Sequence, residues 1–151
     1  MFRGLHNINL DSKGRLAIPT KYRESLVALC GAQLIATIDT EERCLLVYPR
    51  PVWEPIQEQI ESLPSFNPAA RRIQRLLIGY ATDIELDGSG RVLLPQPLRD
   101  HAELEKECVL VGQGKKFELW SKCLWESRRD EYLGGDQGGQ VLPDQMQSLS
   151  L

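Results

Sequence analysis

Arg15 and Lys13 are the residues in this sequence whose types and spacing suit recognition chemistry. They flank Gly14 in the stretch Asp11-Ser12-Lys13-Gly14-Arg15-Leu16-Ala17-Ile18-Pro19. Arginine carries a planar fork of donors that can meet O6 and N7 of a guanine together. Lysine brings a compact charge suited to phosphate. Asp11 can accept from backbone amides two residues on, and Gly14 can take the positive φ of a tight turn. The stretch therefore predicts a turn that holds two cations at its edge. Taken alone, Asp-x-x-Gly-Arg is a common surface turn.

The stretch occurs twice. Asp87-Gly88-Ser89-Gly90-Arg91-Val92-Leu93-Leu94-Pro95 repeats it 76 positions later, matching Asp11 to Asp87, Gly14 to Gly90, Arg15 to Arg91 and Pro19 to Pro95. Ile8 and Leu10 fall on Ile84 and Leu86, and Arg23 falls on Arg99. Self-similarity at a fixed offset says that one small unit is used twice. The copies differ in charge. Residues 1–25 hold Arg3, Lys13, Arg15, Lys21 and Arg23 against Asp11 and Glu24, a local net of +3. Residues 83–100 hold Arg91 and Arg99 against Asp83, Glu85, Asp87 and Asp100, a local net of −2. The first copy is thus expected to meet a polyanion, and the second to be structural or to meet another subunit.

The elements that must position these turns read clearly. Ile8 and Leu10 before the turn, and Leu16 and Ile18 after it, alternate with period two, a strand–turn–strand signal. Pro19 ends the second strand, and a short helix is expected next, with Tyr22 and Leu26 on one face. Strands are expected at 33–38 and 44–48, echoed at 108–111 and 116–120, here with an offset of 72 that places a four-residue slip in a loop. Each copy is two hairpins flanking a short helix. Their exposed edges favour interleaving one copy with the other, a swapped, barrel-like pairing. Between the copies lie two helices, 51–63 and one opened by Asn67 as N-cap and Pro68 at the first helical position. Arg71, Arg72 and Arg75 cluster on the latter. Such a cluster can bind phosphates, but more often it is a solvated face or pairs with acids on a neighbour. A last helix is expected at 122–132. Trp53, Trp120 and Trp125 read as core anchors. The Gly-rich run 134–140 reads as a flexible linker before a polar tail.

The chain has 151 residues and a formal net charge of −3, with 42% hydrophobic and 26% charged residues. That is one compact domain, or two very small ones fused. No apolar run approaches the ~18 residues of a membrane span, and residues 1–7 lack the apolar centre of a signal peptide. A cytosolic location is expected. The cysteines Cys30, Cys44, Cys108 and Cys123 form no C-x-x-C, and His6 and His101 are distant in sequence, so reduced structural thiols are expected and no metal or cofactor.

The doubled Asp-x-x-Gly-Arg-x-x-[Ile/Leu]-Pro resembles the AbrB/SpoVT class of swapped-hairpin DNA-binding domains. The two copies, the start Met1-Phe2-Arg3-Gly4 and the linker Arg71-Arg72-x-Gln74-Arg75-Leu76-x-x-Gly79 are similar to a bacterial family of two-repeat regulators of that class. The resemblance covers residues 1 to about 133. It implies an α+β, β-rich fold with two interleaved hairpin repeats in a pseudo-dimeric barrel. The repeats would span 5–50 and 81–125, with a helical linker at 51–80 and a helix end and tail at 126–151. It also implies a cytoplasmic, nucleoid-associated repressor of the division and cell-wall gene cluster, its own gene included. Such proteins bind short GT-rich direct repeats in promoter DNA as a ring of subunits. Arg15 is then the main DNA contact, with Lys13 beside it, and Arg3 and Lys21 complete the candidate set. Arg91 matches the motif, but its acidic surroundings leave its role open.

Two other functions compete with this one. A structural ring or adaptor would need no basic edge, and the +3 of the first 25 residues speaks against it. An enzyme finds little support. Asp87-Gly88-Ser89-Gly90 lacks the Lys-Ser/Thr of a phosphate-cradling loop, and turn formation explains Asp11 and Asp87 without catalysis.

Overall fold

The computed structural model describes residues 1–135, 146 and 148–150. From residue 136 the expected Gly-rich linker lies outside them. The chain runs β1 (Phe2–Asn9), β2 (Arg15–Ala17), α1 (Thr20–Cys30), β3 (Gln33–Ile38), β4 (Leu45–Pro49) and α2 (Arg50–Glu61). It continues through α3 (Pro68–Ile73), a π-helical turn (Gln74–Ile78), β5 (Thr82–Glu85), β6 (Arg91–Leu93) and α4 (Gln96–His101). β7 (Glu107–Gly114), β8 (Phe117–Ser121) and α5 (Lys122–Gly134) complete it.

Six strands form one antiparallel sheet in the order β1-β7-β8-β4-β3-β5, and β2 and β6 form a separate two-stranded ribbon. The order is palindromic under the sequence repeat: β1 corresponds to β5, β7 to β3, β8 to β4 and β2 to β6. Strands of one copy therefore pair with strands of the other, β1 with β7 and β3 with β5. The Asp11 turn does not close a hairpin ladder within its own copy. Only an isolated bridge, Leu10 to Leu16, joins the two flanks, because β1 spends its ladder on β7 and β2 spends its own on β6. The turn carries the chain from one sheet to the other.

The expected barrel does not close. Among the described residues the large sheet ends at β1 on one side and β5 on the other. Closure is not needed, because other elements cover both faces. On one face Leu34, Ala36, Val47, Leu110 and Phe117 pack with Leu16 and Val92 of the ribbon, Tyr22 and Leu26 of α1 and Leu98 of α4. On the other, Ile35 meets Trp53 and Ile60 of α2 with Ile73 and Leu77 of the linker. Val109, Val111 and Trp120 meet Leu124 and Trp125 of α5 on that same side. Trp53 and Trp120 are buried and Trp125 packs against Trp120, as expected of core anchors. The charges of Asp83 and Glu85 on edge strand β5 discourage unwanted pairing.

The pairing also refines the repeat. Ala36 faces Val47, and Leu110 faces Leu119. β3 and β7 are thus offset by 74 positions (36 to 110), and β4 and β8 by 72 (47 to 119). The four-residue slip from 76 is two steps of two, one before β7 and one in the β7–β8 turn, where the ladder does not constrain length.

The linker keeps its expected start. Asn67 Oδ1 accepts from the amides of Ala69 at 2.9 Å and Ala70 at 3.4 Å. Past Ile73 the chain enters a π-helical turn instead of continuing the α-helix. Buried Thr37 donates its hydroxyl to the Leu77 carbonyl at 2.7 Å and fastens that turn to β3. A Cβ on Gly79 would stand 2.0 Å from the Arg75 carbonyl oxygen, so only glycine fits there.

Candidate nucleic-acid interface

The two repeated turns are built alike. Asp11 Oδ1 accepts from the amides of Lys13 and Arg15, both at 2.9 Å, while Oδ2 takes the Arg15 Nε proton at 2.8 Å. Asp87 Oδ1 accepts from the amides of Ser89 at 2.8 Å and Arg91 at 2.9 Å, and Oδ2 holds Arg91 Nε at 3.1 Å. Hydrogen bonds from the Arg15 amide and then its side chain hold the Asp11 carboxyl below its usual range, against a desolvation cost. The Arg91 amide leads the same effect at Asp87. Each guanidinium is anchored through Nε, and its Nη edge takes no hydrogen bond among the described residues.

The copies clasp each other through these turns. Ile18 donates its amide to the Gly90 carbonyl at 2.9 Å, and Leu94 to that of Gly14 at 2.8 Å. Arg23 donates Nε to its own copy's Ile18 carbonyl at 2.7 Å and lies against Gly90 of the other copy. Arg99 does the same with the Leu94 carbonyl at 2.9 Å and lies against Gly14. Gly14 and Gly90 have φ of +85° and +75°, and a Cβ there would meet the side chains of Arg99 and Arg23. The match of Arg23 to Arg99 was visible in the sequence. Their role as packing arms across the repeat was not, because it depends on the swap.

The ribbon sorts the candidates by face. Leu16 and Val92 point into the core, so by alternation Arg15, Ala17, Arg91 and Leu93 line the outer face. Arg15 lies opposite Leu93, and Arg91 opposite Ala17. The two arginines are therefore diagonal neighbours, about 7 Å apart at the backbone. The structure brings Arg91 beside Arg15, which its acidic sequence neighbourhood gave no reason to expect. Lys13 is exposed on its turn at one end of the ribbon, and Ser89 holds the equivalent place at the other.

Arg3 and Lys21 do not join this group. Arg3 is exposed on edge strand β1, where roughly 25 Å of extended chain separates it from Asp11, and its carbonyl accepts from the Tyr22 hydroxyl. Lys21 Nζ sits 4.8 Å above the Tyr22 ring, and His6 Nε2 is 2.9 Å from the same hydroxyl. Arg71, Arg72 and Arg75 are exposed on the helical linker without an ion pair among the described residues.

Asp39, Cys44 and Glu118 bring ligand atoms within 4.8 Å of one another. Burial, then the charges of Glu118 and Asp39, push the Cys44 thiol far up, so it is a protonated donor to Asp39. All four cysteines are free thiols.

Comparison with known proteins places the family. The family described as "MraZ protein, putative antitoxin-like" matches residues 1–76 and again 77–132, one match per copy. The chain belongs to the MraZ family. Proteins named "Transcriptional regulator MraZ" from Coxiella burnetii (strain RSA 493 / Nine Mile phase I), Legionella pneumophila (strain Paris) and Alkalilimnicola ehrlichii are each 55% identical to it over 152 residues. The alignments cover 100% of both chains. The MraZ family is one of transcriptional regulators, not of enzymes. No helix among the described residues is long and apolar enough to cross a membrane.

Proposed function

We propose that this chain is a sequence-specific DNA-binding transcriptional regulator that reads DNA with the β2–β6 ribbon. The observation that carries the reading is the pair of anchored guanidiniums, Arg15 and Arg91, on one outward face. A two-stranded ribbon fits the major groove. Each Nη edge is free to meet the guanine acceptors, and Asp11 and Asp87 remove much of the rotational freedom that binding would otherwise cost. Lys13 adds a phosphate contact beside Arg15. Arg3 and Lys21 act, in this reading, as distant electrostatic attraction and not as base contacts.

In the finer reading the chain is a cytoplasmic, nucleoid-associated repressor of the division and cell-wall gene cluster and of its own gene. Its operator is a set of short GT-rich direct repeats. The units at 5–50 and 81–125 form the swapped-hairpin module, with 51–80 as linker. Subunits assemble into a ring whose repeated ribbons meet repeated boxes, so that avidity arises from effective concentration. The names of the 55%-identical relatives support regulation of transcription. The repressor role, operator and ring come from the class resemblance.

Footprinting and anisotropy titration on DNA upstream of the protein's own gene test this, using wild type, Arg15→Ala and Arg91→Ala. Each variant is expected to lose about 1–3 kcal/mol of discrimination, the worth of one bidentate base contact, while its unfolding transition stays put. Unchanged affinity of Arg15→Ala would overturn the ribbon as the reading head.

A further inference from the structure

The outer face of the ribbon carries a large apolar side chain. Leu93 is 56% exposed and joins none of the hydrophobic clusters among the described residues. It lies directly opposite Arg15. The repeat supplies an internal control for what the fold requires at this place. At the offset of 76, Leu93 corresponds to Ala17, and Ala17 lies opposite Arg91 in the same register. Both copies form a short strand here, with Leu16 and Val92 buried beneath the ribbon. A methyl therefore satisfies the fold, and the rest of the Leu93 side chain is surplus to it. Single exposed apolar residues are ordinary on protein surfaces. Leu93 differs by its place, on the face that carries the Nη edges of both anchored guanidiniums.

We infer that Leu93 reads the methyl group of a thymine close to the guanine met by Arg15. The inference rests on the ribbon as reading head and adds a second base to what that head recognises. In the major groove the thymine C5 methyl is the apolar group that a base edge presents, and apolar side chains meet it. Leucine offers no hydrogen bond to the polar groups of the other edges, so removing a methyl from water is the gain it can make. Directly opposed side chains of an antiparallel pair start about 4.5–5.5 Å apart, and successive bases of one strand are about 3.4 Å apart. With Arg15 on a guanine, Leu93 falls over a base pair one or two steps away. The other end of the ribbon lacks this reader. Arg91 has the short Ala17 across from it and Ser89 in the place of Lys13. The two ends therefore read unlike bases, and the ribbon has a direction on the duplex.

The test replaces thymine by deoxyuridine, which removes the C5 methyl and leaves the hydrogen-bonding edge unchanged. Duplexes spanning the footprinted segment upstream of the protein's own gene carry one replacement each, and the affinity of the full chain for each is read by anisotropy. Wild type is expected to lose about four-fold at one position, the transfer worth of a buried methyl. That position should lie within about two base pairs of the guanine whose preference Arg15→Ala abolishes. Leu93→Ala places here the residue that the other copy already holds, so its thermal transition should stay put. It should bind the thymine duplex about four-fold more weakly and no longer distinguish uridine from thymine. Leu93→Met, still apolar and long enough to reach, should keep the distinction. If Leu93→Ala unfolds the chain, Leu93→Gln keeps the length and should lose the distinction in its place. A wild type that ignores every replacement would overturn the inference, as would a Leu93→Ala that still senses the methyl or a Leu93→Met that does not. In each of these cases continued dependence on Arg15 leaves the ribbon standing as reading head. Affinity unchanged by Arg15→Ala would overturn both.

Discussion

Arg15 is restrained before any ligand arrives, and the restraint comes from Asp11. One carboxylate takes two backbone amides with one oxygen and the Arg15 Nε with the other. Asp11→Ala removes both, so it should weaken DNA binding and flatten sequence preference even though Asp11 carries the wrong charge to touch phosphate. A gel-shift series against wrong-sequence DNA checks this; a gain in affinity would mean that the carboxylate only repels. The pH dependence has the same origin. The folded-state carboxyls of Asp11 and Asp87 are lowered. Their stabilisation is complete above the unfolded carboxylate range, about 3.9, and is lost as pH falls through the lowered folded value. Binding should therefore be insensitive to these groups from neutrality down to about pH 5 and fail only in stronger acid, with anisotropy as readout. At the residue scale the sequence was informative, since Asp, Gly and Arg at fixed spacing specify the turn. It left the role of Arg91 open because it could read only local charge, whereas the structure sets Ala17 opposite it and Arg15 diagonal to it across the ribbon.

The linker shows how an element departs from its periodicity. Asn67 and Pro68 start a helix as their types demand, yet the helix widens into a π-helical turn at Gln74–Ile78. Such widenings are rare and occur mostly as single turns within an α-helix. Thr37, fully buried, donates to the Leu77 carbonyl within this one. Thr37→Val keeps the shape and removes the donor, so a cost of about 1–3 kcal/mol is expected from the unmet carbonyl, measurable by denaturant unfolding. Gly79→Ala places a methyl 2.0 Å from the Arg75 oxygen and should cost about 1–3 kcal/mol or more by forced backbone displacement. A thermal transition within a degree of wild type would show that the turn has room to relax. Pro55 sits inside α2, which runs on past it to Glu61, and Trp53 and Ile60 bury their side chains with Ile35 of β3. Tertiary packing outweighs the propensity penalty there, as it does for most helices. Trp53→Ala should cost about 3–5 kcal/mol.

For the molecule as a whole, salt dependence and assembly belong together. Each phosphate contact neutralised adds about 0.9 to the slope of log affinity against log salt. A multimer presenting several ribbons should show a steeper slope than one subunit could give, and a single-box DNA should reduce it. A slope that does not change with the number of boxes would separate assembly from recognition. The sequence by itself determined the duplicated unit, its turn chemistry, the strand and helix order, and the buried faces, because all of these arise from residue types at short range. Only the tertiary structure decided which strand of one copy pairs with which of the other, that the large sheet stays open, and that Arg15 and Arg91 share a face. Strand pairing is a choice among partners far apart in the chain, and local preference is the same for each. Burying the greatest apolar area from both copies at once makes the choice.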